Sequence, residues 1–300
     1  MKNFNGVITP IITPFTKTGK IYRLGFKNLF KFLKSHKING IFGSGSYGSF
    51  PLLDINERLE VIRITIEESK KNNLSTIIHI GHADTHASIK LAKFAVNCGA
   101  DAIAAVIPYY YSGHAYDEKN IINHFKKLRD SVKSNLHFYN NPRTTKVDPS
   151  LKLLKTIHQI GFNGMKDSGS DIKKFKKYAD LFWKKNKNFD LMPGSGSLFL
   201  KGFNLGARAC VAGTSMAFPK LVVKMYNEIT SNDLRTASIT QKKTNYARLL
   251  QGKFNMRPAS AYDILAMQDV DVGYPRLPWR KFSKKEFNFI KNKIFEHKLV

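Results

Sequence analysis

Cysteine is almost missing from this chain of 300 residues: only Cys98 and Cys210 occur, each in an apolar stretch and in no CxxC spacing. That argues against metal or redox work by thiols and for two core thiols in a reducing compartment. Long apolar runs are missing as well, none approaching the roughly 20 residues that cross a bilayer. The opening Met1-Lys2-Asn3-Phe4-Asn5-Gly6 lacks the apolar segment of a signal peptide. The expectation is a cytoplasmic protein without a membrane anchor. No linker or low-complexity stretch interrupts the sequence either, so 300 residues at 42% hydrophobic content read as one large domain, or one barrel with an appendage.

Acidic side chains are scarce. Lys and Arg number 49 against 22 Asp and Glu, a formal charge of +27. Such a balance invites a nucleic-acid or membrane-surface partner, but the cations are spread along the chain. The densest stretch, Lys173-Lys174-Phe175-Lys176-Lys177 with Lys184-Lys185, fits the outer face of an amphipathic helix whose Ile172, Phe175, Tyr178, Leu181 and Phe182 point inward. Nucleic-acid binding is therefore not expected as the primary role, and attraction of anionic substrates is a side effect of the charge.

What is present is an alternation. Short β-branched or apolar runs at residues 6–12, 40–42, 76–80, 102–107, 136–139, 162–165, 190–192 and 209–212 read as strands. Amphipathic segments lie between them, for example at 56–70, 86–97, 118–132 and 150–159. Eight strand–helix units fit a closed parallel (β/α)8 TIM barrel over residues 1–220. Residues 221–300 read as a C-terminal helical extension, with helices at 221–229, 236–251 and 284–296 that pack against the barrel or a partner subunit.

Several chemistries find no support. Gly43-Ser44-Gly45-Ser46-Tyr47-Gly48 matches G-x-G-x-x-G, yet the acid that a dinucleotide fingerprint requires about 20 residues on falls inside a helix, at Glu67 and Glu68. The loop still offers backbone N–H groups and the hydroxyls of Ser46 and Ser49, which suits a small carboxylate. His82 and His86 are four apart but lack the glutamate of H-E-x-x-H, and Asp84-Thr85 between them suggests a helix N-cap. No G-x-S-x-G elbow appears. Pro108-Tyr109-Tyr110-Tyr111 is either packing or a source of proton-transferring hydroxyls at a barrel rim.

Lys166, in Gly164-Met165-Lys166-Asp167-Ser168-Gly169, is the most informative residue. Barrel chemistry gathers at the C-terminal ends of strands, and Tyr139 ends the fifth strand run while Lys166 follows the sixth. A phenol and an amine therefore meet at one rim. Only a neutral amine attacks a ketone; an ordinary lysine, with a pKa of about 10.4, becomes nucleophilic when burial disfavours its ammonium.

Together these segments resemble the pyruvate-dependent class I aldolases, the family of dihydrodipicolinate synthase, N-acetylneuraminate lyase and 2-keto-3-deoxygluconate aldolase. The resemblance runs in order through Gly6-Val7-Ile8-Thr9-Pro10, Thr13-Pro14-Phe15, the Gly45–Gly48 loop, Asn56-Glu57-Arg58, Gly99-Ala100-Asp101, Pro108-Tyr109-Tyr110, Tyr139-Asn140-Asn141-Pro142, Gly164-Met165-Lys166-Asp167-Ser168 and Leu205-Gly206-Ala207. It implies that Lys166 forms an imine with pyruvate and that Tyr139 is the general acid/base above it. It implies further that Ser46 belongs to a proton relay with Tyr110, the latter donated by a neighbouring subunit. Gly48 and Tyr47 would sit at the carboxylate-binding loop, and Val211 would offer a backbone carbonyl. The implied assembly is a homo-oligomer, a tetramer or dimer, taking pyruvate and an aldehyde with no metal and no diffusible cofactor.

Three departures from the family's pattern bear on the substrate. Tyr47 stands where a threonine is usual, and Ser49 where a glutamate is common. Around Gly194-Ser195-Gly196-Ser197 the acidic residues by which sialic-acid lyases hold a polyol tail are missing. Dihydrodipicolinate synthases carry an arginine two residues after the proline of Tyr-Asn-x-Pro; here Arg143 follows Pro142 directly and Thr144 fills that place. The expected substrate is a 2-keto-3-deoxy sugar acid or similar 2-oxo acid. The runner-up is dihydrodipicolinate synthesis, with Arg143 binding the aldehyde's carboxylate, and the non-enzymatic alternative is a barrel that binds anionic ligands or nucleic acid.

Overall fold

The computed structural model describes residues 3–111, 115–183 and 188–300. Its eight strands are β1 (Gly6–Pro10), β2 (Gly40–Gly43), β3 (Ser75–His79), β4 (Ala102–Ala105), β5 (Leu136–Asn140), β6 (Phe162–Asp167), β7 (Asp190–Pro193) and β8 (Ala209–Cys210). They form one parallel sheet in the order β7-β6-β5-β4-β3-β2-β1-β8. The Val211 N–H, just past β8, donates to the Pro193 carbonyl at the end of β7 at 2.9 Å, linking the two ends of that order. With helices between the strands, this is a nearly closed (β/α)8 TIM barrel with further helices at the C-terminus.

Every expected strand is present, but its hydrophobic run does not mark its end. Val106 and Ile107 are buried yet lie beyond β4, ahead of Pro108, which has no N–H for a ladder. Conversely, β6 runs on through Lys166 and Asp167, so the lysine sits within the strand and not where the chain opens into the loop. The helix Arg23–Ser35, between β1 and β2, buries Phe26, Leu29, Phe30 and Leu33, which recur at helical spacing.

By internal contacts the chain divides into two compact units, Met1–Asn5 with Thr76–Val211, and Gly6–Ser75 with Ala212–Val300. In the first, the helix Thr85–Cys98 starts at Asp84, whose carboxylate accepts from Ala87 N–H at 2.7 Å, as the His82–His86 loop suggested. The helix Ile172–Tyr178 continues into a wider turn, Ala179–Trp183. Phe175, Tyr178 and Phe182 are buried there, Ile172 and Leu181 only half-buried, and Lys173, Lys174, Lys176 and Lys177 exposed. Lys184 and Lys185 lie outside the described residues. Cys210 is buried, which pushes its thiol pKa up and makes it inert; Cys98 is half-buried.

In the second unit, Asp54 and Glu57 form a capping box at the start of the helix Ile55–Lys71. Glu57 also takes a bidentate grip from Arg276, at 2.6 and 2.7 Å, and Arg276 lies 4.4 Å from the Phe15 ring centroid. The C-terminal helices close their own apolar core, in which Phe218, Leu221, Leu250, Ile264, Ile290 and Ile294 are buried together. That core is tied back to the first strand region: Thr9 Oγ1 donates to Ser215 Oγ at 3.0 Å, and the Tyr262 hydroxyl donates to the Thr13 carbonyl at 2.6 Å. Among the described residues no helix is long and apolar enough to cross a membrane.

Candidate active site

β5 and β6 run side by side in a register that pairs Tyr139 with Lys166 and, one step on, Asn140 with Asp167. Side chains alternate across a strand, so the first pair faces one side of the sheet and the second pair the other. Lys166 also pairs with Met192 on β7. Tyr139, Lys166 and Met192 are all buried, at 3%, 4% and 1% exposure. Lys166 Nζ sits 4.0 Å from the Tyr139 ring centroid.

Burial lowers the Lys166 pKa below its ordinary value, because the ammonium loses its hydration; the Tyr139 hydroxyl, through charge and hydrogen bonding, pulls the other way. The amine is thereby moved toward the form that attacks a carbonyl. Asn141 Nδ2 donates to the Tyr139 hydroxyl at 3.3 Å, and the His79 ring meets the Tyr139 ring edge-on at 5.6 Å. These two contacts fix the phenol. Neither neighbour was singled out from the sequence, although Asn141 stands in the quoted Tyr139–Pro142 motif and His79 ends a strand run.

One layer toward the N-terminal ends of the strands, His79, Ala104, His137, Gly164 and Asp190 occupy one continuous rung. A Cβ on Gly164 would come within 2.5 Å of the His137 ring, so glycine is there to let that ring lie across β6. His137 Nε2 is 3.5 Å from Asp190 Oδ2, and Asp190 Oδ1 takes Arg208 at 3.2 Å and the Phe4 N–H at 3.3 Å. Lys166 thus stands above a buried, tied-down floor.

The remaining candidates in this unit are differently disposed. Tyr110 is 79% exposed with a backbone φ of 81°, a left-handed conformation that a tyrosine rarely adopts, and its ring meets that of Tyr111 edge-on at 5.0 Å. Arg143 is exposed on the one-turn helix Pro142–Thr145, as is Thr144. Val211 is buried, its N–H committed to Pro193.

In the other unit, Ser46, Tyr47 and Gly48 lie in the turn after β2. The Ser49 N–H closes on the Ser46 carbonyl at 3.2 Å, and Thr13 Oγ1 donates to the Gly48 carbonyl at 2.7 Å. Ser46 and Tyr47 are half-buried and Gly48 is buried. The Tyr47 ring lies where a Cβ of Gly213 would be. Gly213 has ordinary right-handed helical angles, so what it supplies is space and not backbone freedom. This accommodation of Tyr47 was not legible in the sequence, because the two positions are far apart along the chain. Among the described residues no group of three or more His, Cys, Asp and Glu is arranged to hold a metal ion.

A parallel eight-stranded barrel with a buried lysine beside a tyrosine at its strand ends has the build of a class I aldolase. The family model described as the Dihydrodipicolinate synthetase family matches residues 3–296, and the chain belongs to that family, whose members are lyases. The family membership sets the non-catalytic alternative aside. The chain is 28% identical over its full length to 4-hydroxy-tetrahydrodipicolinate synthase of Brachyspira hyodysenteriae, covering 99% of that protein. It is 29% identical to the 2-dehydro-3-deoxy-phosphogluconate/2-dehydro-3-deoxy-6-phosphogalactonate aldolase of Sulfurisphaera tokodaii, over 91% of this chain and 90% of the other. Among solved structures, a prophage protein of the dihydrodipicolinic acid synthase family from E. coli K12, in complex with pyruvate, superposes with a TM-score of 0.93 at 22% identity over 99% of each chain.

Proposed function

We propose that this chain is a pyruvate-dependent aldolase that works through an imine on Lys166 and makes or breaks a 2-keto-3-deoxy sugar acid or related 2-oxo acid. The observation that carries the reading is Lys166 itself, a fully buried amine with its pKa lowered, in register with Tyr139. The neutral amine adds to the pyruvate C2 carbonyl and water leaves, giving an imine that draws electrons from the adjacent carbon. Loss of a proton there gives an enamine, and its carbon adds to an aldehyde; the reverse sequence cleaves the same bond. Tyr139, held by Asn141, moves the protons.

The family resemblance assigns the pyruvate carboxylate to the turn at Tyr47 and Gly48, a place in the proton relay to Ser46 and a carbonyl contact to Val211. The exposure of Tyr110 supports its donation to a second copy of the chain within a homo-oligomer, and the absence of Arg at position 144 supports a sugar acid over an amino-aldehyde acid. We place the reaction in the cytoplasm.

Borohydride reduction with pyruvate tests the imine: the wild-type chain should gain the mass of one reduced pyruvate and Lys166→Ala none. An unmodified wild type would sink the reading. A panel of aldehydes assayed with pyruvate then ranks acceptors. A second reading, dihydrodipicolinate synthesis, is favoured by the full-length likeness to the Brachyspira enzyme. It requires Arg143 to hold the carboxylate of aspartate semialdehyde, so Arg143→Ala would cut kcat/KM for that aldehyde markedly; under the sugar-acid reading aspartate semialdehyde is a poor acceptor with or without Arg143.

A further inference from the structure

Lys166 is closed in from beneath by a side chain that does not belong to its own strand. On its rung stand Tyr139, on β5, and Met192, on β7, both buried. Two residues back along the same three strands, and so on the same face about 6.6 Å lower, come His137, Gly164 and Asp190. Gly164 has no side chain to put under the amine, and the place is taken by the imidazole of His137 from β5.

The surroundings of that ring fix its pose. A Cβ on Gly164 would lie 2.5, 2.6 and 2.8 Å from its Cδ2, Nε2 and Cγ. Distances so nearly equal mean that the ring turns its face, and not its edge, to β6. Phe4 meets it edge-on at 5.5 Å, and Nε2 stands 3.5 Å from Asp190 Oδ2. Asp190 is itself held through Oδ1, by Arg208 at 3.2 Å and by the Phe4 N–H at 3.3 Å. His137 is 0% exposed.

The role of the ring follows from what its loss would leave. The emptied space above Gly164 would be bordered by the Asp190 carboxylate, and a gap of that size with a polar wall takes up water. Water there would hydrate the ammonium of Lys166. Burial is the largest influence on that amine, and the Tyr139 hydroxyl opposes it. Also on this face stand His79, whose ring meets that of Tyr139 at 5.6 Å, and Asp190, whose charge Arg208 offsets; Asp167 lies on the opposite face.

We propose that His137 is a positioning residue of the imine chemistry: seated face-on over Gly164 and steadied by Asp190, it keeps water from reaching the Lys166 amine along β5 and β6. The inference rests on the imine reading proposed above.

The test is the pH dependence of cyanoborohydride trapping with pyruvate, read by mass on the full chain. His137→Ala should move the midpoint of the profile up by about one pH unit, so that below it trapping is about tenfold slower. His137→Leu fills the space without polarity and should bring the midpoint back to that of the wild type. His137→Thr, β-branched and suited to a strand, should shift the midpoint upward in smaller measure and serves if the alanine variant does not fold. A loss of stability with the midpoint unmoved in these smaller variants would overturn the proposal, and so would a shift that leucine fails to reverse. An untrapped wild type would instead sink the imine reading, and this inference with it.

Discussion

Tyr139 and Lys166 are direct neighbours in the β5–β6 ladder, and the amine of one stands 4.0 Å from the ring centre of the other. The phenol both walls the lysine from water, which lowers its pKa, and offers the hydroxyl that opposes that shift. Burial of the amine and a hydrogen bond to it therefore meet in one side chain.

Tyr139→Phe should separate the two effects. The wall stays and the hydroxyl goes, so kcat is expected to fall by about 10²–10⁴, the usual worth of a positioned acid or base. Pyruvate should still be trapped by borohydride. Because the removed group favoured the ammonium, the pH below which trapping fails should move down. An unchanged kcat would remove Tyr139 from the chemistry.

Lys166→Met should be more stable than wild type at pH 7. A buried lysine whose folded pKa lies below the ordinary 10.5 binds fewer protons folded than unfolded, so wild-type stability rises with pH through that window and the cost is fully present below it. The gain in Tm should be full below the folded pKa and shrink as the pH approaches 10.5. A gain independent of pH would mean that packing alone is responsible.

Gly213→Ala should destabilise by about 1–3 kcal/mol, the cost of overpacking, since the new methyl would land on the Tyr47 ring. The backbone at Gly213 accepts alanine. Combining it with Tyr47→Thr should recover most of the loss, and urea denaturation of the two single variants and the double variant measures the coupling. Additive losses would show that the ring is not the obstacle.

His124 gives the acid limb a definite shape. Burial pulls its pKa down to about 4 from 6.5, against the pull of Asp84, while its Nδ1 lies 2.9 Å from Thr85 Oγ1. The unfolded chain protonates first, so stability is lost as pH falls from 6.5 toward 4, by up to about 3 kcal/mol. In His124→Gln the stability lost over this interval, read from urea midpoints, should be smaller. Identical slopes would assign the acid sensitivity elsewhere.

Much of this was legible in the chain itself. The alternation of short apolar runs with amphipathic segments gave all eight strands, and the motif around Lys166 and Tyr139 pointed to an amine and a phenol on adjacent strands. Strand ends were less legible. Hydrophobicity reports burial, which Val106 and Ile107 achieve outside the ladder, while Lys166 and Asp167 continue the ladder despite their charge.

Sequence alone determined the barrel class, the family and the choice of Lys166 and Tyr139 as candidates, because periodicity and local motifs are properties of neighbouring residues. Only the tertiary structure decided that Tyr139 and Lys166 share a rung, that His137 lies over Gly164, and that Tyr47 is seated on Gly213. It alone also sets Phe4 and Asp190 against the His137 imidazole. Register, desolvation and steric fit arise between segments far apart along the chain. They exist only once the backbone ladders have fixed which side chains exclude water from which others.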